Sequence, residues 1–245
     1  MKKTFVISFQ KSGTYLISEI LENLGYGKTL IHIDRFLGNT HQSYEEIRNT
    51  KDEINFRRSD FEYKADKLIN NLTDNNFAVG HIYHSPIAKK IFKDHKIILT
   101  QRNIKRCLIS MMNFLEESKR MTETDIEIWH RKEDQKEKFF YFLKLRGSGF
   151  INNCINILPW INENLLIIKF ENIVDPNKNI NEVKKISDYL NIGKRDYKKI
   201  LEKSFEKKTL TKSSKDSSID HYWSKSAENL FDNIGGNIIN KKLGY

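Results

Sequence analysis

Short apolar runs separated by amphipathic stretches follow one another along this chain. Phe5-Val6-Ile7, Phe77-Ala78-Val79, Ile97-Ile98-Leu99 and Leu166-Ile167-Ile168 are apolar at successive positions, the mark of strands buried on both faces. They predict strands at about 4–9, 77–82, 96–101 and 165–170. Between them the spacing lengthens to that of helices. Ile17, Ile20, Leu21 and Leu24 predict a helix over 13–24 that ends near Gly25 and Gly27. Ser85 then Pro86 is an N-cap followed by proline at the first helical position, so a helix runs from 86 to about 94. Ile104, Leu108, Met111, Met112 and Leu115 mark one side of a helix over 103–117, and further helices are expected at about 178–190, 194–204 and 225–240. Alternation of this kind builds βαβ units, so the expected fold is a three-layer α/β/α arrangement around a central parallel sheet.

Two segments break the pattern. Residues 30–76 are polar and poorly periodic, with helical character near 44–48 and 60–72, and 116–150 is charged and then aromatic at Phe139, Phe140, Tyr141 and Phe142. Connections this long are more often lids or substrate surfaces than idle loops. Thr209 to Asp220, rich in Ser, Thr, Lys and Asp, is the candidate mobile loop. With 245 residues and no Pro/Gly/Ser-rich linker, a single domain over 1–245 is expected.

Composition narrows the picture only a little. A net charge of +10 suits a polyanionic ligand, a nucleic acid or an anionic surface about equally, and the lysines lie along the whole chain. Cys107 and Cys154 sit in apolar segments, which fits packing in a reducing cytosol rather than a disulfide framework. Met1-Lys2-Lys3 is charged like the start of a secretory signal, but the apolar run after it is short and interrupted by Lys11. No apolar run reaches membrane-spanning length. The expected location is therefore the cytoplasm.

The chemistry starts where the first strand breaks. In Ser8-Phe9-Gln10-Lys11-Ser12-Gly13-Thr14-Tyr15 small residues and a lysine lie between a strand and a helix, so backbone N–H groups at the positive helix end can cradle an anion. The triphosphatase signature GxxxxGK[ST] is not met, because Lys11 precedes the only glycine of the turn. A second stretch, Thr100-Gln101-Arg102-Asn103 through Ser110, puts Arg102 at the carboxyl end of a strand and Ser110 eight residues on in the next helix. A guanidinium fork and a hydroxyl so spaced can grip one phosphate from two sides.

Together the two stretches resemble the cytosolic sulfotransferase family. QKSGTYL stands where that family has PKSGTTW, and Arg102, Asn103 and Ser110 keep the spacing of its RNxxDxxxS. Leu166 to Ile173 resembles a later family strand, and Trp223 through Leu243-Gly244-Tyr245 its C-terminal tail. The resemblance implies a P-loop NTPase-like fold and a donor, 3′-phosphoadenosine-5′-phosphosulfate, with adenosine 3′,5′-bisphosphate as product and no metal. It implies that Lys11, Ser12, Gly13, Thr14 and Tyr15 hold the 5′-phosphosulfate, with Lys11 stabilising the leaving phosphate, and that Arg102 and Ser110 hold the 3′-phosphate. Ser204-Phe205 resembles a family pair beside the adenine, with Phe205 offering an aromatic face or packing in the core. Where the family has an Arg-Lys-Gly run this chain has Lys212-Ser213-Ser214-Lys215, so Lys212 or Lys215 would take over the basic contact. Leu16 and Phe170 replace a family Trp and Tyr, and Val79 stands where a family lysine precedes the base.

An acceptor hydroxyl must lose its proton, and imidazole, with an ordinary pKa of ~6.5, is suited to take it. His81, at the end of a strand and after Gly80, aligns with the family base; His84, nearer Pro86, is the rival. Aromatic residues and arginines in 30–60 and 116–150 point to a small-molecule acceptor, with hydroxyl favoured over amine. Competing interpretations are a P-loop kinase or NTP-binding protein, and a basic nucleic-acid-binding module. No His or Cys pair has structural zinc spacing. Oligomeric state is not legible.

Overall fold

The computed structural model describes residues 3–33, 40–41, 72–206 and 218–245. In chain order the elements are β1 (Thr4–Ser8), α1 (Thr14–Asn23), β2 (Gly27–Ile33), β3 (Thr40–His41), β4 (Asn76–Gly80), α2 (Pro86–Phe92), β5 (Lys96–Gln101), α3 (Ile104–Glu117), α4 (Gln135–Ile157), β6 (Leu166–Lys169), α5 (Phe170–Val174), α6 (Asn179–Leu190), α7 (Tyr197–Glu206), α8 (Ile219–Tyr222), α9 (Lys225–Asn233) and α10 (Gly236–Lys242). A helical turn at Glu123–Asp125 runs into five π-helical residues, Ile126–His130, and a 3₁₀ turn at Leu158–Asn162 follows α4.

Contacts divide the chain into two units. The first, within residues 1–9, 13–101 and 159–207, holds the whole sheet. Its strand order is β3-β2-β4-β1-β5-β6, and every pair is parallel except β2–β3. The central parallel sheet is thus as expected, with one short antiparallel edge strand that the sequence did not suggest. β1 lies between β4 and β5, Val6 pairing with Val79 on one side and Ile98 on the other. Chain order therefore reverses direction at β1, and in such sheets ligands bind beyond the carboxyl ends of the strands at that reversal.

Alternation along β1 explains its burial on both faces. Val6 faces a cluster in which Ile17, Ile20 and Leu21 of α1 pack with Val183 and Ile186 of α6 and Ile200 and Leu201 of α7. Phe5 meets Phe92 of α2 edge-on at 4.7 Å between ring centroids, and Phe92 in turn meets Trp160 at 6.2 Å. Helices cover both faces within this unit. α2 begins as predicted, with the Ser85 hydroxyl accepting from the Ala88 N–H and Pro86 at the first helical position.

The second unit, within residues 10–12, 102–158 and 208–245, is helical. Phe139 and Phe142, expected to shape an acceptor pocket, are fully buried instead; the ring of Phe139 packs against Trp223 and that of Phe142 against Trp129. Hydrophobic burial at helical spacing along α4 makes this face core. The single helix expected at 225–240 is two, α9 and α10, because the chain turns between Asn233 and Gly236. The helical character expected near 44–48 and across 60–71 lies outside the described residues, as does most of the segment 209–220, where a mobile loop is expected. No helix among the described residues is long and apolar enough to cross a membrane.

Candidate functional site

At the carboxyl end of β1 the side chain of Ser8 is buried and shares a 2.6 Å hydrogen bond with the hydroxyl of Thr14, the first residue of α1. Gly13 precedes it in a left-handed conformation at φ +99, and a methyl group there would lie 2.4 Å from Cδ2 of Phe170. Only glycine lets this backbone turn and also lie under that ring. Gly13 brings no side chain to cap α1, and the first turn of α1 holds no acidic residue. The positive end of the helix is therefore neither neutralised nor capped by its own side chains, which suits an anion.

His81 follows the carboxyl end of β4, in the same unit. Its Nδ1 lies 2.9 Å from the carbonyl oxygen of Ser8 and 3.1 Å from the Ser8 hydroxyl. A carbonyl oxygen can only accept, so Nδ1 carries the hydrogen and donates it; in the neutral ring the lone pair then sits on Nε2. Gly80 makes this placement possible, since a Cβ there would lie 2.4 Å from the carbonyl oxygen of Ile33 on β2. The ring of His32, also on β2, meets that of His81 at 5.2 Å between centroids.

His84 is employed differently. Its Nε2 is 2.9 Å from Oε1 of Glu163, which Lys89 also pairs at 3.0 Å. The His84 ring lies edge-on to Trp160 at 4.9 Å, and the Trp160 indole donates to the carbonyl of Ile82 at 2.9 Å. His84, Trp160 and Glu163 thus tie the strand-end loop down beside His81.

Lys11, in the second unit, has a left-handed backbone at φ 64, uncommon for a residue with a side chain and a feature that gathers at functional sites. Its carbonyl accepts from Nη1 of Arg102 at 3.2 Å, and its ammonium lies 4.2 Å from the centroid of the Phe114 ring. Burial strips water from the amine and the Arg102 guanidinium repels its charge, lowering its pKa to about 8 against weaker opposing effects of Cys107 and Glu117.

The start of α3 contrasts with that of α1. Asn103 accepts from the Lys105 N–H at 3.0 Å, and Asn240, buried on α10, accepts from the Ile104 N–H at 2.8 Å. Protein side chains already occupy these donors, so a phosphate at Arg102 would be met by side chains and not by the end of α3. Ser110 is buried on α3 two turns beyond.

Ser12 is buried, and Tyr15 is half-buried in the first turn of α1. Phe205 projects from the last turn of α7 with 45% of its surface exposed, while Ser204 beside it is buried and accepts from Asn23 at 3.0 Å. The packing alternative for Phe205 therefore fails. Lys212 and Lys215 lie outside the described residues. Cys107 and Cys154 are both buried free thiols, and burial pushes the Cys154 thiol up, as expected of packing cysteines. Among the described residues no group of three or more His, Cys, Asp or Glu is arranged to hold a metal ion.

Sequence reasoning overlooked Phe114, Trp160 and Asn240. Phe114 carried a signal, being four residues beyond Ser110 on one helix and so on the same side. Asn240 gave none, since its partners are over 130 residues away.

The family model for the sulfotransferase domain matches residues 1–235. Among solved structures, mouse sulfotransferase SULT7A1 complexed with PAP superposes with a TM-score of 0.64 at 18% identity, covering 99% of this chain and 88% of that one. Retinol dehydratase, in complex with androsterone and the inactive cofactor PAP, superposes with a TM-score of 0.53 at 15% identity, covering 96% and 81%. These likenesses establish a shared fold. No curated protein sequence matches significantly.

Proposed function

This chain belongs to the sulfotransferase domain family, and on that premise we propose that it moves a sulfuryl group from 3′-phosphoadenosine-5′-phosphosulfate to a hydroxyl of a small-molecule acceptor in the cytoplasm. The observation that carries the proposal is the 2.9 Å bond from His81 Nδ1 to the Ser8 carbonyl, which leaves Nε2 as the proton-accepting nitrogen. The residues present suit a phosphosulfate donor: an uncapped, acid-free helix end at Gly13 and a partly desolvated cation at Lys11. Bound there, the donor would supply the activated sulfuryl group on a phosphate leaving group.

His81 takes the acceptor proton on Nε2, and the Ser8 carbonyl holds the resulting imidazolium through its Nδ1–H. Lys11, with the N–H groups of Ser12, Gly13, Thr14 and Tyr15, meets the charge that grows on the departing phosphate. Donors aimed at charge that develops only as the bond breaks lower the barrier more than they strengthen binding. Arg102 and Ser110 hold the 3′-phosphate, Phe205 offers its exposed ring to the adenine, and Lys212 or Lys215 supplies the further basic contact. The engagement of His84 with Glu163 and Trp160 supports His81 as the base.

Calorimetric titration with adenosine 3′,5′-bisphosphate and with ATP·Mg tests the donor. The bisphosphate is expected to bind more tightly, and preference for ATP·Mg would overturn the assignment. A mass-shift screen of alcohols, phenols and amines for the gain of one SO₃ then identifies the acceptor. With that acceptor, His81→Ala is expected to lower kcat by roughly 10²–10⁴-fold while bisphosphate affinity stays near wild type.

A further inference from the structure

We propose that Phe114 is a positioning residue for Lys11, its ring face holding the ammonium where that group meets the departing phosphate. The inference deepens the function proposed above and rests on the role given there to Lys11. Three observations in the second unit carry it. The Lys11 ammonium stands 4.2 Å from the ring centroid, well within the range of a cation–π contact. The backbone that aims the side chain is held in a left-handed conformation, with its carbonyl bonded to Arg102. Phe114 lies one turn beyond Ser110 on α3, so the residue proposed to grip the 3′-phosphate and the residue holding Lys11 share one side of a single helix.

The choice of a ring over an acid has a physical reason. A carboxylate at this distance would neutralise the ammonium and compete with an incoming phosphate for it. The quadrupole of an aromatic face attracts the cation without a net negative charge, so it orders the side chain and yields to an anion. The other charged or titratable groups bearing on Lys11 are Arg102 before α3, and Cys107 and Glu117 on α3 itself. Arg120 lies near the same ring, 5.8 Å from its centroid.

The test compares Phe114→Leu, which keeps apolar bulk without the ring face, with Phe114→Tyr, which keeps the face. The Lys11 amine is followed by NMR, assigned by its loss in Lys11→Arg, and kcat and KM are measured against pH with the screened acceptor. Because the ring favours the charged amine, Phe114→Leu is expected to move the Lys11 titration down by about half a unit to one unit. The alkaline limb of kcat/KM for the donor, which follows the free enzyme, should move with it, and kcat/KM at pH 8 should drop by about twofold to fivefold. Phe114→Tyr should restore both. If the leucine variant is unfolded, Phe114→Met gives the same comparison. A wild-type titration and alkaline limb in the folded leucine or methionine variant, with only KM raised, would overturn the proposal. Full turnover in Lys11→Ala would instead overturn the function assigned to Lys11 and leave the NMR result standing.

Discussion

Lys11 shows how one residue can pull folding and binding in opposite directions. Its pKa in the folded protein is about 8, lowered by burial and by Arg102 from the ordinary lysine value of 10.5. Below pH 8 the folded state must hold a charge that the unfolded chain hydrates freely, so the residue costs stability there. As the pH rises from about 8 toward 10.5 the folded state sheds the proton first and that cost is relieved. Anion binding runs the other way, since a phosphate favours the ammonium. At pH 8.5, where the phosphates are fully ionised, binding of adenosine 3′,5′-bisphosphate is expected to take up roughly three-quarters of a proton. Calorimetry in two buffers of different ionisation enthalpy measures it. Lys11→Met should abolish the uptake, and persistence in that variant would place the proton on another group. The sequence offered Lys11 as a candidate, but its lowered pKa comes from burial and from Arg102, 91 positions away, and could not be seen in the run Lys-Ser-Gly-Thr.

Among elements, the irregular segment before α4 is latched by one carboxylate. Asp125 is fully buried and accepts from the Trp129 indole at 2.9 Å, from Nε of Arg146 on α4 at 2.8 Å, and from the Thr122 N–H and hydroxyl at 2.9 and 2.8 Å. Burial is the largest single influence on this carboxyl and would raise its pKa. The bonds from Arg146, Trp129 and Thr122 together outweigh it and hold the group well below the usual carboxylate range. A carboxylate so lowered adds stability that is whole above about pH 4 and is lost as the pH falls below that value. Asp125→Asn is expected to cost about 2 kcal/mol at pH 7, below the ~3–5 kcal/mol of breaking a fully buried pair because Arg146 is half exposed. Its urea midpoint should depend less on pH between 5 and 3 than that of the wild type, and an equal dependence would show the latch to be idle. Elements whose apolar pattern was continuous, such as β1 and β5, were legible in the sequence almost to the residue. β2 was not, because Lys28, Thr29 and His32 interrupt it and its pairing with β4 slips between Lys28 and His32. The antiparallel β3 is two residues long, too short for any period to register.

At the scale of the whole molecule, the question is whether a net charge of +10 or a few placed groups recruit the donor. A diffuse field acts on encounter and is screened beyond about 8 Å at physiological salt, whereas part-buried charges close to a ligand are screened far less. The residues proposed to bind phosphate belong to the second kind: Lys11 is partly desolvated, Ser12 and Ser110 are buried, and α1 begins without a side-chain cap. The fold explains why composition could not decide this. Parallel strands deliver loop residues at their carboxyl ends wherever the surface lysines lie, and only the order of strands around β1 marks the reversal. Raising salt from 50 to 300 mM should therefore weaken bisphosphate binding by only a few-fold, through the field. The losses caused by Lys11→Ala and Arg102→Ala should persist at roughly constant ratio across that range. If the two variants converge on the wild type at high salt, Lys11 and Arg102 act only through long-range attraction. Recognition would then belong to the charge of the surface and not to the strand ends, and the basic nucleic-acid-binding interpretation would regain its footing, to be checked by competing single-stranded RNA against the bisphosphate at low salt.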